Sequence, residues 1–230
     1  MENYGYIKRN YELLTEELSD IAAKVGVETP RLVCVTKSGS DEELLALVKA
    51  GAKALGENRP GEVKRRFELI REAGLDCEMH EIGTLQRNKV KLVAPVTAMI
   101  HSVDSKKLAE DISRHALQCG RKIPVLIEIN SGKEESKSGA LPEDAEALLL
   151  EIKELPGIEI SGLMTMGPVC ENPEDLRKYF RLTKNLFDSL GEKYGFGASP
   201  TLSMGMSDSY RVAIEEGSTL VRVGRKLFIK

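Results

Sequence analysis

The chain has 230 residues, 41% of them hydrophobic and 30% charged, with 20 glycines and 9 prolines spread along its length, which excludes a disordered or low-complexity class. A formal net charge of -3 and a pI near 5.8 give no overall basic field, so nucleic acid is not an expected partner. Cys34, Cys77, Cys119 and Cys170 form no C-x-x-C pair, the chain opens without an apolar leader, and no run reaches a membrane span; these features predict a cytoplasmic globular protein with buried thiols.

In residues 6–25 the apolar positions Ile7, Tyr11, Leu14, Leu18, Ile21 and Val25 recur at threes and fours, which predicts an amphipathic helix stopped by Gly26. It precedes the first strand, so it is expected to cover an end or a side of the fold. Residues 32–37, Leu-Val-Cys-Val-Thr-Lys, have strand composition and end on Lys37. An amine buried among such neighbours is disfavoured as an ammonium, which is how Schiff-base lysines arise; a strand-end lysine that has merely reached solvent is the alternative. A helix with an acidic start follows over 41–50, closed by Gly51.

The pattern then repeats. Strands are predicted over 52–56, 77–82, 96–101, 123–130, 158–164, 201–204 and 219–223, and helices over 62–73, 105–119, 142–155, 173–190 and 208–216. Residues 83–89 form a polar loop leading to a helical turn before Pro95, and 131–141 a longer loop bearing glycine and lysine. Eight strands with helices between most of them predict an α/β fold: a TIM (β/α)8-type barrel in one domain over residues 1–230, with an extra N-terminal helix. No strand is followed by G-x-G-x-x-G, so the dinucleotide fingerprint of an open doubly wound sheet is missing.

Barrel sites form at the carboxyl ends of the strands, with phosphate held after the last two. Those ends carry Lys37, Asn58, His80, His101, Asn130, Met166, the run Ser203-Met204-Gly205-Met206-Ser207, and the run Arg222-Val223-Gly224-Arg225. Arg222 interrupts an apolar stretch, so its guanidinium needs an acceptor, and Gly224 lets the backbone approach a ligand. An amine on strand one facing a phosphate cup after strands seven and eight suits a ligand with both an aldehyde and a phosphate.

Several motifs in this order resemble the pyridoxal phosphate homeostasis proteins, whose barrel is related to the N-terminal domain of alanine racemase. They are Val35-Thr36-Lys37, Gly56-Glu57-Asn58, the run from His80 through Gly83 to Lys89, His101-Ser102-Val103-Asp104, Gly162-Leu163-Met164-Thr165-Met166, Ser203 through Asp208, and Val221-Arg222-Val223-Gly224. The resemblance covers about residues 6–228. It implies pyridoxal 5′-phosphate (PLP) as cofactor, Lys37 as the lysine of the internal aldimine and Arg222 against the pyridine nitrogen. It further implies that Ser203, Gly205 and the amides of Gly224 and Arg225 hold the phosphate, that Asn58 and Met166 line the ring and aldehyde side, and that His80 and Ser207 lie nearby. A cation beside the ring nitrogen disfavours its protonation and weakens the ring as an electron sink. The second base of alanine racemases, a tyrosine from another domain, has no counterpart in this sequence.

The expected function is therefore PLP binding in vitamin B6 homeostasis, with little or no amino-acid turnover, as a monomer that binds, stores or delivers the cofactor, apo PLP-dependent enzymes being the candidate partners. Two alternatives stay open. One is a low-activity PLP-dependent racemase or lyase, for which Tyr210 is the tyrosine nearest the cup in sequence; the other is a barrel binding a different phosphorylated metabolite.

Overall fold

The computed structural model describes residues 4–230. Eight parallel strands pair in chain order and close on themselves: β1 (Arg31–Val35), β2 (Ala54–Glu57), β3 (Glu78–Glu81), β4 (Met99–Val103), β5 (Ile123–Glu128), β6 (Ile158–Met164), β7 (Thr201–Ser203) and β8 (Leu220–Val223). β8 returns to β1 with Val33 opposite Arg222. The helices are α1 (Gly5–Val25), α2 (Asp41–Lys49), α3 (Pro60–Glu72), α4 (Val90–Val93), α5 (Lys106–Gln118), α6 (Ala145–Ile152), α7 (Arg177–Tyr194) and α8 (Tyr210–Glu215). The predicted barrel is the observed one.

Period-two alternation divides each strand between two environments. Cys34, Leu55, Met79, Ile100, Ile127, Leu163, Leu202 and Val221 point outward into the core shared with the helices. Val33, Ala54 and Leu220 form one inward cluster, and Met99, Leu126 and Met164 a second. The β5–β6 register shifts between Val125 and Leu126, opposite Gly162. At φ 147 this glycine comes so close to β7 that an added Cβ would lie 2.0 Å from Thr201 O, so the irregularity requires glycine.

α1 buries Ile7, Leu14, Leu18, Ile21 and Ala22 and stops at Gly26 with φ 73. It lies on the flank of the barrel against α2, the short α8 and the turn Arg225–Leu227, so it covers a side. Asn10 Nδ2 donates to Leu227 O at 3.3 Å and to Ile229 O at 2.7 Å, tying the C-terminal residues to this helix.

Three expectations change in detail. The helices predicted from Pro142 and Pro173 begin as 3-10 turns, Pro142–Asp144 and Pro173–Leu176, before α6 and α7; proline fixes φ in the first turn and donates no hydrogen bond. β1 ends at Val35, two residues before Lys37. Only Cys34 and Cys77 are buried thiols, while Cys119 is exposed and Cys170 half-buried. Burial pushes Cys34 up and Cys77 up to about 12, which keeps both as unreactive thiols.

Candidate active-site mouth

Lys37 continues the inward register of Val33 and Val35, which sets it at the carboxyl-end mouth of the barrel. Its side chain is exposed, because the strand has already ended. The expectation of an amine surrounded by buried apolar side chains is thus corrected: Lys37 stands in the mouth, above the apolar layer.

What holds Lys37 is the turn beneath it. Gly39 N donates to Thr36 O at 2.8 Å, and Ser40 caps α2 in a capping box with Glu43. The buried Arg66 of α3 clamps both ends of the turn, donating from Nη1 to Thr36 O at 2.6 Å and from Nη2 to Gly39 O at 3.0 Å. Arg66 Nη1 also meets Glu57 Oε1 at 2.7 Å, and the two side chains are 7% and 1% exposed. The sequence reading overlooked Arg66 because α3 is rich in charge; the signal was its place on the buried stripe with Val63 and Ile70.

Arg222, on the inward face of β8, forms the floor under the mouth at 4% exposure. Its Nη1 donates to Ser203 Oγ at 2.5 Å and its Nη2 to Thr165 O at 3.1 Å. The expected acceptors are therefore neutral. Burial lowers Arg222 to about 10, with Glu128 the opposing charge that partly offsets it. Glu128 projects from the end of β5, and burial pushes its carboxyl up to about 7.

On the far side, the turns after β7 and β8 lie against each other. Gly205 has φ 94, and an added Cβ would lie 2.9 Å from Tyr210 Cα, so this turn packs on α8 only as glycine. Gly224 N donates weakly to Ser207 Oγ at 3.4 Å, and the 3-10 turn Arg225–Leu227 follows. The amides of Ser207, Asp208, Arg225 and Lys226 find no acceptor among the described residues. Asn58 and Met166 are exposed just beyond the ends of β2 and β6.

The structure thus brings Lys37, Asn58, Met166, Gly205, Ser207, Gly224 and Arg225 to one rim, with Arg222 below them. Ser203 lies lower, its hydroxyl occupied by Arg222 and by His101 Nδ1 at 3.0 Å. His80 is lower still and fully buried, bonded to His101 and Glu78, so its expected place beside the ring is corrected to the barrel interior. Tyr210 is also buried, its hydroxyl bonded to Lys226 Nζ on the α1 side, away from Lys37. The loop over 131–141 folds back on β5 through the Ile129–Ala140 bridge and the bond from Asn130 Nδ2 to Glu134 O. Among the described residues no group of three or more His, Cys, Asp or Glu side chains could hold a metal ion, and no helix is long and apolar enough to cross a membrane.

Glu81, on the outward face of β3, is the most strongly raised carboxyl. Its Oε1 accepts from Gly83 N at 2.9 Å, its Oε2 has no partner among the described residues, and burial pushes it up to about 8 from 4.5. The folded chain therefore holds a proton that the unfolded chain releases near 4.5. Its contribution is most favourable below that pH and declines as pH rises to about 8. Glu81→Gln is expected to leave Tm nearly unchanged at pH 5 and to raise it by several degrees at pH 9. Calorimetry at both pH values checks this, and equal shifts at the two would contradict it.

The sequence matches the family described as alanine racemase, N-terminal domain, over residues 10–229. It is 43% identical over 203 residues to the pyridoxal phosphate homeostasis protein of Aquifex aeolicus, covering 88% of each chain. PipY of Synechococcus elongatus, solved with PLP bound, superposes with a TM-score of 0.84 at 28% identity, covering 97% of this chain and 100% of PipY. Alanine racemase of Corynebacterium glutamicum shares the fold, with a TM-score of 0.71 at 18% identity over 98% of this chain and 60% of that one. Barrel topology, the motifs at the strand ends and the near full-length identity agree: the chain belongs to the pyridoxal phosphate homeostasis proteins, built on the alanine racemase N-terminal-domain fold.

Proposed function

We propose that this chain binds PLP at the barrel mouth and acts in intracellular PLP homeostasis with little or no turnover of amino acids. The observation that carries this is the donor set on one rim: the exposed amine of Lys37, the buried cation of Arg222 beneath it, and uncommitted amides beside Ser207 and Gly224. The set fits a phosphorylated aromatic aldehyde, and the names of the relatives agree with it. When bound, the cofactor supplies a reactive aldehyde on an electron-withdrawing ring.

The residues divide that work. Lys37 offers the primary amine for a reversible covalent tether, on a turn that Arg66 keeps rigid. Ser207, Arg225 and the amides around Gly224 would hold the phosphate, and Gly205 would leave the backbone low enough for a ligand to enter. Asn58 and Met166 would border the ring. Arg222 would present a fixed cation to the ring nitrogen, which would disfavour its protonation. Ser203 would serve this site by holding the guanidinium, since its hydroxyl lies 2.5 Å from Arg222 Nη1 and 3.0 Å from His101 Nδ1, below the rim. Racemisation would need a second base opposite Lys37, and the hydroxyl of Tyr210 is committed elsewhere.

We further infer a monomer that passes its cofactor to apo PLP-dependent enzymes. Calorimetric titration with PLP, pyridoxal and inorganic phosphate, run beside an alanine racemisation assay, tests the reading. One PLP per chain, at least tenfold weaker pyridoxal and no racemisation are expected. Failure of PLP to saturate, or sustained racemisation that Lys37→Ala abolishes, would overturn it.

A further inference from the structure

Below the mouth, the barrel interior holds a run of polar side chains that the function above uses only at its upper end. Arg222 Nη1 lies 2.5 Å from Ser203 Oγ, and Ser203 Oγ lies 3.0 Å from His101 Nδ1. His101 Nε2 lies 2.9 Å from His80 Nδ1, and His80 Nε2 lies 3.1 Å from Glu78 Oε2. Glu78 Oε2 meets Arg31 Nη2 at 2.8 Å, where both side chains are about half exposed at the amino end of the strands. Ser203, His101 and His80 are each 0% exposed. The run therefore crosses the barrel from its floor to the base of the mouth.

Its two ends dictate its direction. A guanidinium only donates, so Ser203 Oγ accepts from Arg222 and its single hydrogen goes to His101 Nδ1. His101 then carries its proton on Nε2 and donates to His80 Nδ1. His80 in turn carries its proton on Nε2 and donates to the Glu78 carboxylate, which only accepts. Every contact holds one hydrogen, and both imidazoles are neutral. The competing arrangement charges His80 and moves the His101 proton to Nδ1. It buries a second cation in the same interior as Arg222 and leaves the Ser203 hydrogen without its acceptor. Burial acts the same way, lowering His80 and taking His101 well below the usual histidine range, while the bond from His80 holds Glu78 down to about 2. The other charged groups bearing on the run are Arg31 below and Arg222 above, with Glu128 facing Arg222.

We propose that Ser203, His101, His80 and Glu78 form a one-way hydrogen-bond chain that fixes the plane of the Arg222 guanidinium, which makes the two histidines positioning residues for the cofactor site. The assignment of a cofactor to Arg222 rests on the function proposed above; the direction of the chain does not.

Long-range proton–nitrogen NMR of the histidine rings in the cofactor-free full-length protein tests the direction, with His115→Gln to assign the third histidine. Both interior rings are expected as the neutral Nε2–H tautomer from pH 5.5 to 8.5. An imidazolium, or an Nδ1–H tautomer at either ring, would overturn the chain. The positioning role is read in His101→Leu, or in Ser203→Ala should the first variant not fold. With Tm showing a folded chain, PLP binding is expected to weaken about tenfold, and the pH midpoint of the bound cofactor's spectrum to move upward. Wild-type affinity and an unmoved midpoint would overturn the role. Failure of the wild type to bind PLP would count against the function alone, because the NMR result is obtained without cofactor.

Discussion

Lys37→Ala is expected to abolish covalent retention of PLP while leaving the barrel intact. The side chain is exposed beyond the end of β1, and its removal empties no core, so stability should change by no more than about 0.5 kcal/mol. The turn stays formed, because Arg66 and the Ser40–Glu43 capping box hold it through other atoms. What disappears is the amine that the end of β1 offers to an aldehyde. Contacts to Arg222 and the phosphate cup would remain, so weak binding should survive, reduced at least tenfold. Lys37→Arg should fail in the same way, since a guanidinium keeps its proton. Dialysis of loaded protein followed by cofactor assay checks both variants; retention equal to wild type would contradict the assignment.

The two buried arginines are expected to part company when each is replaced by methionine. Arg66 is paired with the buried Glu57, so Arg66→Met strands a carboxylate and frees the carbonyls of Thr36 and Gly39. A loss of about 3 to 5 kcal/mol follows, together with weaker PLP binding as the Lys37 turn loosens. Arg222 meets only neutral acceptors, and burial works against its charge, as its lowering to about 10 indicates. Arg222→Met relieves that desolvation while leaving Ser203 and Thr165 O short of a donor, effects of opposite sign and each about 1 to 3 kcal/mol. Its net stability should stay within about 1 kcal/mol of wild type, yet PLP affinity should fall at least tenfold. Urea denaturation and PLP titration of both variants check the contrast. An Arg222→Met chain that unfolds as readily as Arg66→Met would show that the floor arginine is structural.

Most of the fold was legible because it is written in local periodicity. The threes and fours of residues 6–25 and the short apolar runs ended by glycine gave eight strands and their helices within a few residues. The rim was legible as well, since residues just after parallel strands must gather at one end of a barrel. Depth was not. The position of Lys37 depends on β1 ending at Val35, and nothing in Val-Thr-Lys fixes that boundary. Ser203 and Ser207 are only four residues apart in one motif, yet one lies inside the barrel and the other on its rim. The couplings of Arg66 to Thr36, and of His101 to His80 and Ser203, join residues far apart in sequence, and only the closed sheet brings them together.

The central claim, that Lys37 tethers PLP at this mouth, is tested most directly by peptide mass mapping of the loaded wild-type protein after borohydride reduction. One pyridoxyl phosphate addition per chain, confined to the peptide containing Lys37, is the predicted result. Addition elsewhere, scattered over other surface lysines, or absent under saturating PLP would contradict it.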